Sequence, residues 1–407
     1  MRFHSKMKKN AKPENSLTLL VLQLSCTIAL ANCSSSPRPP QQVTPACGTD
    51  YDQAKALYDG GDYQQAKDAF DAIVNSAPDG PCTDSAAYYA ARCLFKLRDY
   101  HGALDLFISF QQRYPESSFI DEALYFEARC EYELGNFDKA VATFQRFVSS
   151  YPQSPMVDNA HYFMGRCRFE TGRYTDALSE FTVVIQDTTS GYRDAALLWA
   201  GRSEYELGKL DAVQPSAHYD ESEQHFERLF ADYPGSSYED NGRYYYGLCA
   251  YRKADYAVAI QRFDYVRKNF PQSAFLDNSW YYLARSLYKE GDYQAALGEF
   301  TSFLETFTTG VYLDNATYFA GRCEYNLAAT ALSPSAHYQA AADWFSRVIT
   351  TFPDSNWADN AYYYEVRCYV DMKQCTQAGS VLSEFSQKLP ASTLLASAQS
   401  YYGANCP

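Results

Sequence analysis

The chain has 407 residues, of which 46% are hydrophobic and 16% aromatic, and a net charge of −14 at pH 7. That charge repels nucleic acid and anionic lipid headgroups, so neither is expected to bind through protein charge alone. It contains no Gly-x-x-x-x-Gly-Lys loop, no His-Glu-x-x-His pair and no Ser/His/Asp signature, and its six histidines are scattered, so neither an enzyme nor a cofactor is expected.

The first element is a leader. Arg2, Lys6, Lys8, Lys9 and Lys12 make a basic start, and Leu17 to Ala31 is an apolar stretch too short to favour a membrane span. It ends in Leu30-Ala31-Asn32-Cys33 followed by three serines, which resembles a bacterial lipobox. The resemblance implies a signal peptide and lipobox over residues 1–33, lipidation of Cys33, and attachment of the protein to a membrane through that lipid. Ser34 after the cysteine resembles an outer-membrane sorting context. Asn32 stands where lipoboxes carry Gly, Ala or Ser, so cleavage by an ordinary signal peptidase is the alternative. Loss of residues 1–32, with five basic side chains and one acidic, would bring the charge from −14 to −18. Residues 34–49, rich in Ser, Pro and Gln, read as a tether.

From residue 50 onward one phrase recurs about every 37 residues: aromatic, aromatic, any, small, Arg, Cys. It reads Tyr125-Phe126-Glu127-Ala128-Arg129-Cys130, then Tyr162-Phe163-Met164-Gly165-Arg166-Cys167, and later Tyr318-Phe319-Ala320-Gly321-Arg322-Cys323. Arg92, Arg129, Arg166, Arg202, Arg285, Arg322 and Arg367 hold the Arg slot, with Lys55 in the first unit and Leu248 in a middle one. An Asp stands eight residues before the slot in every unit but the first, and Tyr-Pro or Phe-Pro often precedes that Asp. Nine units result, with a last partial helix ending at Cys406. A fixed period of this length marks a stacked-repeat solenoid, one elongated domain over residues 50–407.

Within a unit, Asp158 is expected to cap a helix, and Ala160, Phe163, Met164 and Cys167 follow at helical spacing. Gly172 should end that helix in the left-handed conformation. Tyr174, Ala177, Leu178 and Phe181 then line one face of a second helix, and small residues at 165 and 177 let the two helices approach. The set Gly165, Gly172, Tyr174, Ala177 and Phe181 resembles the tetratricopeptide repeat, as do Gly291, Tyr293, Ala296 and Phe300. The resemblance implies an all-α, right-handed superhelical solenoid of about nine helix hairpins plus a C-terminal capping helix. The longer unit, with its Tyr-Pro-x-Ser linker, is similar to repeats of bacterial envelope lipoproteins of the BamD (YfiO) type and of Tol-Pal-associated proteins. That similarity implies a periplasmic scaffold on the outer membrane that binds envelope proteins or extended peptide segments in outer-membrane protein assembly. Coordination of peptidoglycan synthesis or division with the Tol-Pal system is the alternative.

Two units carry inserts, Leu210 to Ala217 and Thr330 to Ala336, each running into Pro-Ser-Ala-His-Tyr (215–219 and 334–338). Both units lack Tyr-Pro, which reads as duplication of a three-unit block, and Ser333-Pro334 has the form of a helix start. Six cysteines fill the slot after Arg and are expected as buried thiols, because equivalent positions lie about 10 Å apart, beyond disulfide reach. Cys47, Cys82, Cys375 and Cys406 cluster at the ends, where Cys47–Cys82 and Cys375–Cys406 bridges would staple a solenoid.

In tetratricopeptide repeats the first helices line the concave face, so the resemblance implies a partner groove along the slot. Its members would be Tyr88, Arg92, Tyr125, Arg129, Tyr132, Tyr162, Arg166, Arg202, Tyr281, Arg285, Tyr318, Arg322 and Arg367. Two roles are open for this ladder: holding a partner's carboxylates, or stiffening the scaffold by pairing and stacking between units. A metal site is remote; only His218, Glu221 and His225, at i, i+3 and i+7, share a helix face.

Overall fold

A computed structural model describes residues 47–406; the leader, Cys33 and most of the tether lie outside the described residues. The described chain is helical throughout, and its first four hairpins use α1 (Gly48–Gly60), α2 (Tyr63–Ser76), α3 (Thr83–Lys96), α4 (Tyr100–Arg113), α5 (Ile120–Glu133), α6 (Phe137–Ser150), α7 (Val157–Glu170) and α8 (Tyr174–Gln186). The fifth and sixth use α9 (Arg193–Leu210), α10 (Pro215–Asp232), α11 (Glu239–Arg252) and α12 (Tyr256–Asn269). The last three use α13 (Leu276–Glu290), α14 (Tyr293–Thr306), α15 (Leu313–Ala328), α16 (Pro334–Thr351), α17 (Ala358–Asp371) and α18 (Cys375–Lys388), and α19 (Leu395–Asn405) covers the end. The inserts lengthen α9, α10, α15 and α16 by about two to four residues over the usual 14 and leave Leu210, Val213 and Leu332 exposed at the turns.

Each hairpin closes on a phenylalanine of the second helix. A Cβ added to Gly165 would lie 2.6 Å from the Phe181 ring, and one on Gly247 would lie 2.5 Å from Phe263. The small residue of the motif is therefore a close-approach site. Gly172, at φ +74°, follows α7 and turns the chain into α8.

Asp158 does not cap its helix. Val157 opens α7, Met156 is the cap residue, and Asp158 sits in the first turn. A carboxylate there still meets the positive end of the helix dipole. In six sister units the corresponding Asp accepts a hydrogen bond from the linker serine of the next unit. Ser117 donates to Asp84 at 2.7 Å, Ser154 to Asp121 at 2.8 Å, and Ser236 to Asp194 at 2.7 Å. Ser273 donates to Asp240, Ser355 to Asp314 and Ser392 to Asp359 in the same way. Asp158 and Asp277 precede the two units without Tyr-Pro, and there the staple is missing.

Successive first helices touch one another, as in α5–α7, α7–α9, α9–α11, α11–α13 and α13–α15. Among the described residues no second helix comes as close to the next. First helices therefore lie on the inner side of the stack. Disulfides join Cys47 to Cys82 and Cys375 to Cys406, tying α1 to α3 and α18 to α19, while Cys93, Cys130, Cys167, Cys249, Cys323 and Cys368 are free and buried. Burial pushes the Cys93, Cys130, Cys167 and Cys249 thiols up to about 12, which leaves them unreactive as nucleophiles.

Candidate functional site

The slot arginines form a ladder along the inner helices, interrupted at Leu248. Each but Arg367 reaches forward to the second aromatic of the next unit's motif, and Arg367 meets the first, Tyr401. The Arg92 guanidinium lies 4.0 Å from the Phe126 ring centre, Arg129 3.7 Å from Phe163, and Arg166 3.7 Å from Trp199. Arg202 lies 4.8 Å from Tyr245, Arg285 3.4 Å from Phe319, Arg322 4.1 Å from Tyr364, and Arg367 4.7 Å from Tyr401 of the capping helix. Lys55 meets Tyr89 in the same way at 5.1 Å. Where Leu248 interrupts the slot, the cation moves one helical turn on: Arg252 donates through Nε to the Tyr205 hydroxyl of the preceding unit at 3.2 Å.

The tyrosine four residues before the slot accepts the other bond of the arginine. Nη1 of Arg92, Arg129, Arg166 and Arg322 donates to Tyr88, Tyr125, Tyr162 and Tyr318 at 2.7 to 3.4 Å. These tyrosines and Tyr281 are buried. Several stack on the linker aromatic of the next unit: Tyr88 on Phe119 at 4.5 Å, Tyr281 on Tyr312 at 4.3 Å, and Tyr318 on Trp357 at 4.4 Å. Their rings thus belong to the core, a correction to the expected groove lining. Burial first, moderated by Arg129, raises the Tyr125 hydroxyl to about 12, so it stays protonated and able to donate. What reaches the inner surface is the edge of each arginine, with Arg92, Arg129 and Arg166 side chains 20%, 16% and 19% exposed, and half-buried Tyr132.

Acids compensate one half of the ladder only. Arg92 has Glu122 at 3.8 Å, Arg129 has Glu133 at 3.0 Å and Arg166 has Glu170 at 3.5 Å. The expected pairing with acids of neighbouring units is thus met at Arg92 alone among the described slot arginines; Glu133 and Glu170 lie on the same helix as their arginines. Between the inner helices and their second helices, other pairs lock the hairpins, such as Glu127 with Arg146 at 2.9 Å.

The histidines do not converge. His218 Nδ1 is 2.6 Å from Glu204 of α9, and His337 repeats this with Glu324 in the sister unit. His225 is held well below its ordinary value, at about 4, by burial and then by Arg228, and Glu221 is exposed. Among the described residues no three of His, Cys, Asp and Glu are placed to hold a metal ion, and no helix there is long and apolar enough to cross a membrane.

Comparison with known proteins adds a family. The YfiO model, described as "Outer membrane lipoprotein", matches residues 48–133, 107–245 and 239–364. No curated protein matches the chain. Among solved structures, the C-terminal part of a TPR repeat-containing protein from Cytophaga hutchinsonii superposes with TM-score 0.53 at 13% identity, over 67% of this chain and 98% of that one. The apo form of RapI gives 0.52 at 10% identity, over 87% and 98%. A tetratricopeptide repeat protein from Parabacteroides merdae gives 0.45 at 18% identity, over 68% and 99%. At these identities the likeness to the first two is one of fold, and it agrees with a helical-repeat solenoid.

Proposed function

This chain belongs to the YfiO outer membrane lipoprotein family, and on that premise we propose that it is a non-enzymatic scaffold, lipid-anchored through Cys33 on the periplasmic side of the outer membrane, that holds protein partners along its inner helices during outer-membrane protein assembly. The observation that carries the reading is the inner surface itself: seven of the nine first helices present the edge of a slot arginine, with half-buried aromatics between them. Arg and Tyr are enriched where interfaces concentrate their energy, and an extended partner segment gains contacts additively along such a row.

The test joins two measurements on the protein in its native membrane. Intact mass should show an acylated N-terminus at Cys33. A photo-crosslinking residue at Tyr132 should link to envelope proteins of the barrel-assembly pathway. A free N-terminus in the soluble fraction, with no crosslink from Tyr132, overturns the proposal. A crosslink to a peptidoglycan synthase alone would transfer the scaffold to cell-wall coordination.

A further inference from the structure

The residue one turn beyond each slot faces the same inner side, and its charge changes along the stack. It is Asp59, Lys96, Glu133, Glu170 and Glu206 in the first five units, then Arg252, Lys289, Asn326 and Asp371. In the third and fourth units that acid pairs with the slot arginine, Glu133 with Arg129 and Glu170 with Arg166, while Glu206 of the fifth pairs with Lys209. In the sixth to eighth no acid stands there. Arg252, Arg285, Lys289 and Arg322 follow one another on α11, α13 and α15, and none has a carboxylate within ion-pair distance among the described residues. Glu239, Glu299 and Glu324, on α11, α14 and α15, are committed to Arg243, Arg267 and His337.

A second difference falls in the same place. Arg285 does not use Nη1 on the tyrosine before it; that nitrogen is buried without an acceptor. Tyr281 instead lies 3.4 Å from Asn315. Arg285 nevertheless stacks on Phe319 at 3.4 Å, so its fork is held rigid. Arg252 and Lys289 are exposed. A chain of net charge −14 thus carries one stretch of uncompensated cations on its inner surface.

We propose that the inner face of α11, α13 and α15 is the docking site for an extended acidic segment of a partner protein, with Arg252, Arg285, Lys289 and Arg322 taking its carboxylates. The proposal deepens the scaffold reading and rests on it. Consecutive inner helices stand about 10 Å apart. A segment in the polyproline II conformation advances about 3.1 Å per residue with three residues per turn, so Asp or Glu at every third residue stays on one face and meets one helix after another. Carboxylates suit the site, because a stacked guanidinium offers a planar edge that they can accept from in pairs.

The test titrates a fluorescein-labelled peptide, extended and carrying Glu at every third position, into the full chain at low ionic strength, where surface charge is least screened. A peptide with Gln in place of Glu serves as control. The Glu peptide should bind and the Gln peptide should not. The double variant Arg252→Gln/Lys289→Glu should weaken binding at least about tenfold, as loss of complementary charge does, whereas Lys96→Glu, in the second unit, should leave it within about twofold. Thermal melting of each variant checks that the fold is intact. Equal binding by the double variant, equal binding of the Gln peptide, or no binding of the Glu peptide overturns the proposal. Binding of vesicles with anionic lipid that is lost in the same double variant, with no peptide binding, would assign the surface to lipid and also overturn it. Crosslinking from Tyr132 does not depend on this window, so its persistence alongside a failed titration would remove the acidic segment and leave the scaffold standing.

Discussion

Each slot arginine commits its planar face to the next unit's ring and one edge to its own helix's tyrosine, so it acts as a tie between units before it can act as a ligand. Arg166 stacks on Trp199 and bonds Tyr162. A largely desolvated cation–π contact is worth about 2 kcal/mol and the charged hydrogen bond about 1.5. Arg166→Ala is expected to lower unfolding free energy by about 2–3 kcal/mol, measured by urea denaturation; a change near zero would mean the ladder is idle in stability. Glu365 is the residue whose charge the fold opposes. Glu127, at the same place in the third unit, accepts from Arg146 and Gln111. Seventeen residues beyond the slot the ninth unit has Glu384 in place of an arginine. The Glu365 carboxyl is pushed from its ordinary 4.5 up to about 8, by burial first and then by Glu384 and Asp343. Its folded value is raised, so its stabilising proton is fully present below the ordinary value and lost as pH climbs through about 8. Melting temperature should fall across that window, and Glu365→Gln should flatten the fall and be the more stable protein at its alkaline end. Parallel curves for parent and variant would contradict this.

At the scale of helices, one substitution should give opposite signs at two places. Gly247→Ala drives a methyl to 2.5 Å from Phe263, and overpacking of this kind costs about 1–3 kcal/mol. Gly298, inside α14, has nothing within 4 Å of an added Cβ, so Gly298→Ala should stabilise by about 0.5–1 kcal/mol. Paired melting curves decide both. The hairpins and the close-approach glycines were legible in sequence because they depend on residues within one period. The arginine's destination was not: it is a ring about 34 residues on, and helical spacing speaks only of neighbours on the same helix. The burial of Tyr88 and its equivalents was missed for the same reason, since linker aromatics of the following unit cover them. The role of the repeated Asp had a readable signal. It coincides with the linker serine 33 residues later in Asp84–Ser117, Asp121–Ser154 and Asp240–Ser273; after Asp277 Gly310 takes the serine's place, whereas after Asp158 Ser190 keeps it, 32 residues on, without the bond.

Over the whole molecule, the two bridges lie at the ends, where a stack has a neighbour on one side only and frays first. Cys375→Ser with Cys406→Ser should cost the last two helices about 2–4 kcal/mol of local stability and leave the middle units as they were. Amide hydrogen exchange along α18 and α19, compared with α11 and α13, reads this directly; a uniform loss along the stack would mean that it unfolds as one cooperative body.

The forward reach of the ladder also gives the stack a polarity with two mismatched ends. Its first unit has Asp52 where later units place the ring, and its last helix has Asn405 where they place the cation. Neither end of the described stack carries the matching half of this contact. A fragment cut at both ends, between internal units, would offer both halves wherever its last slot is an arginine: a bare arginine at one end and an unclaimed ring at the other. Such pieces are complementary head to tail and can add without closing. With Asp52 and Asn405 in place neither complementary half is present, and only removal of both end helices together would expose the pair.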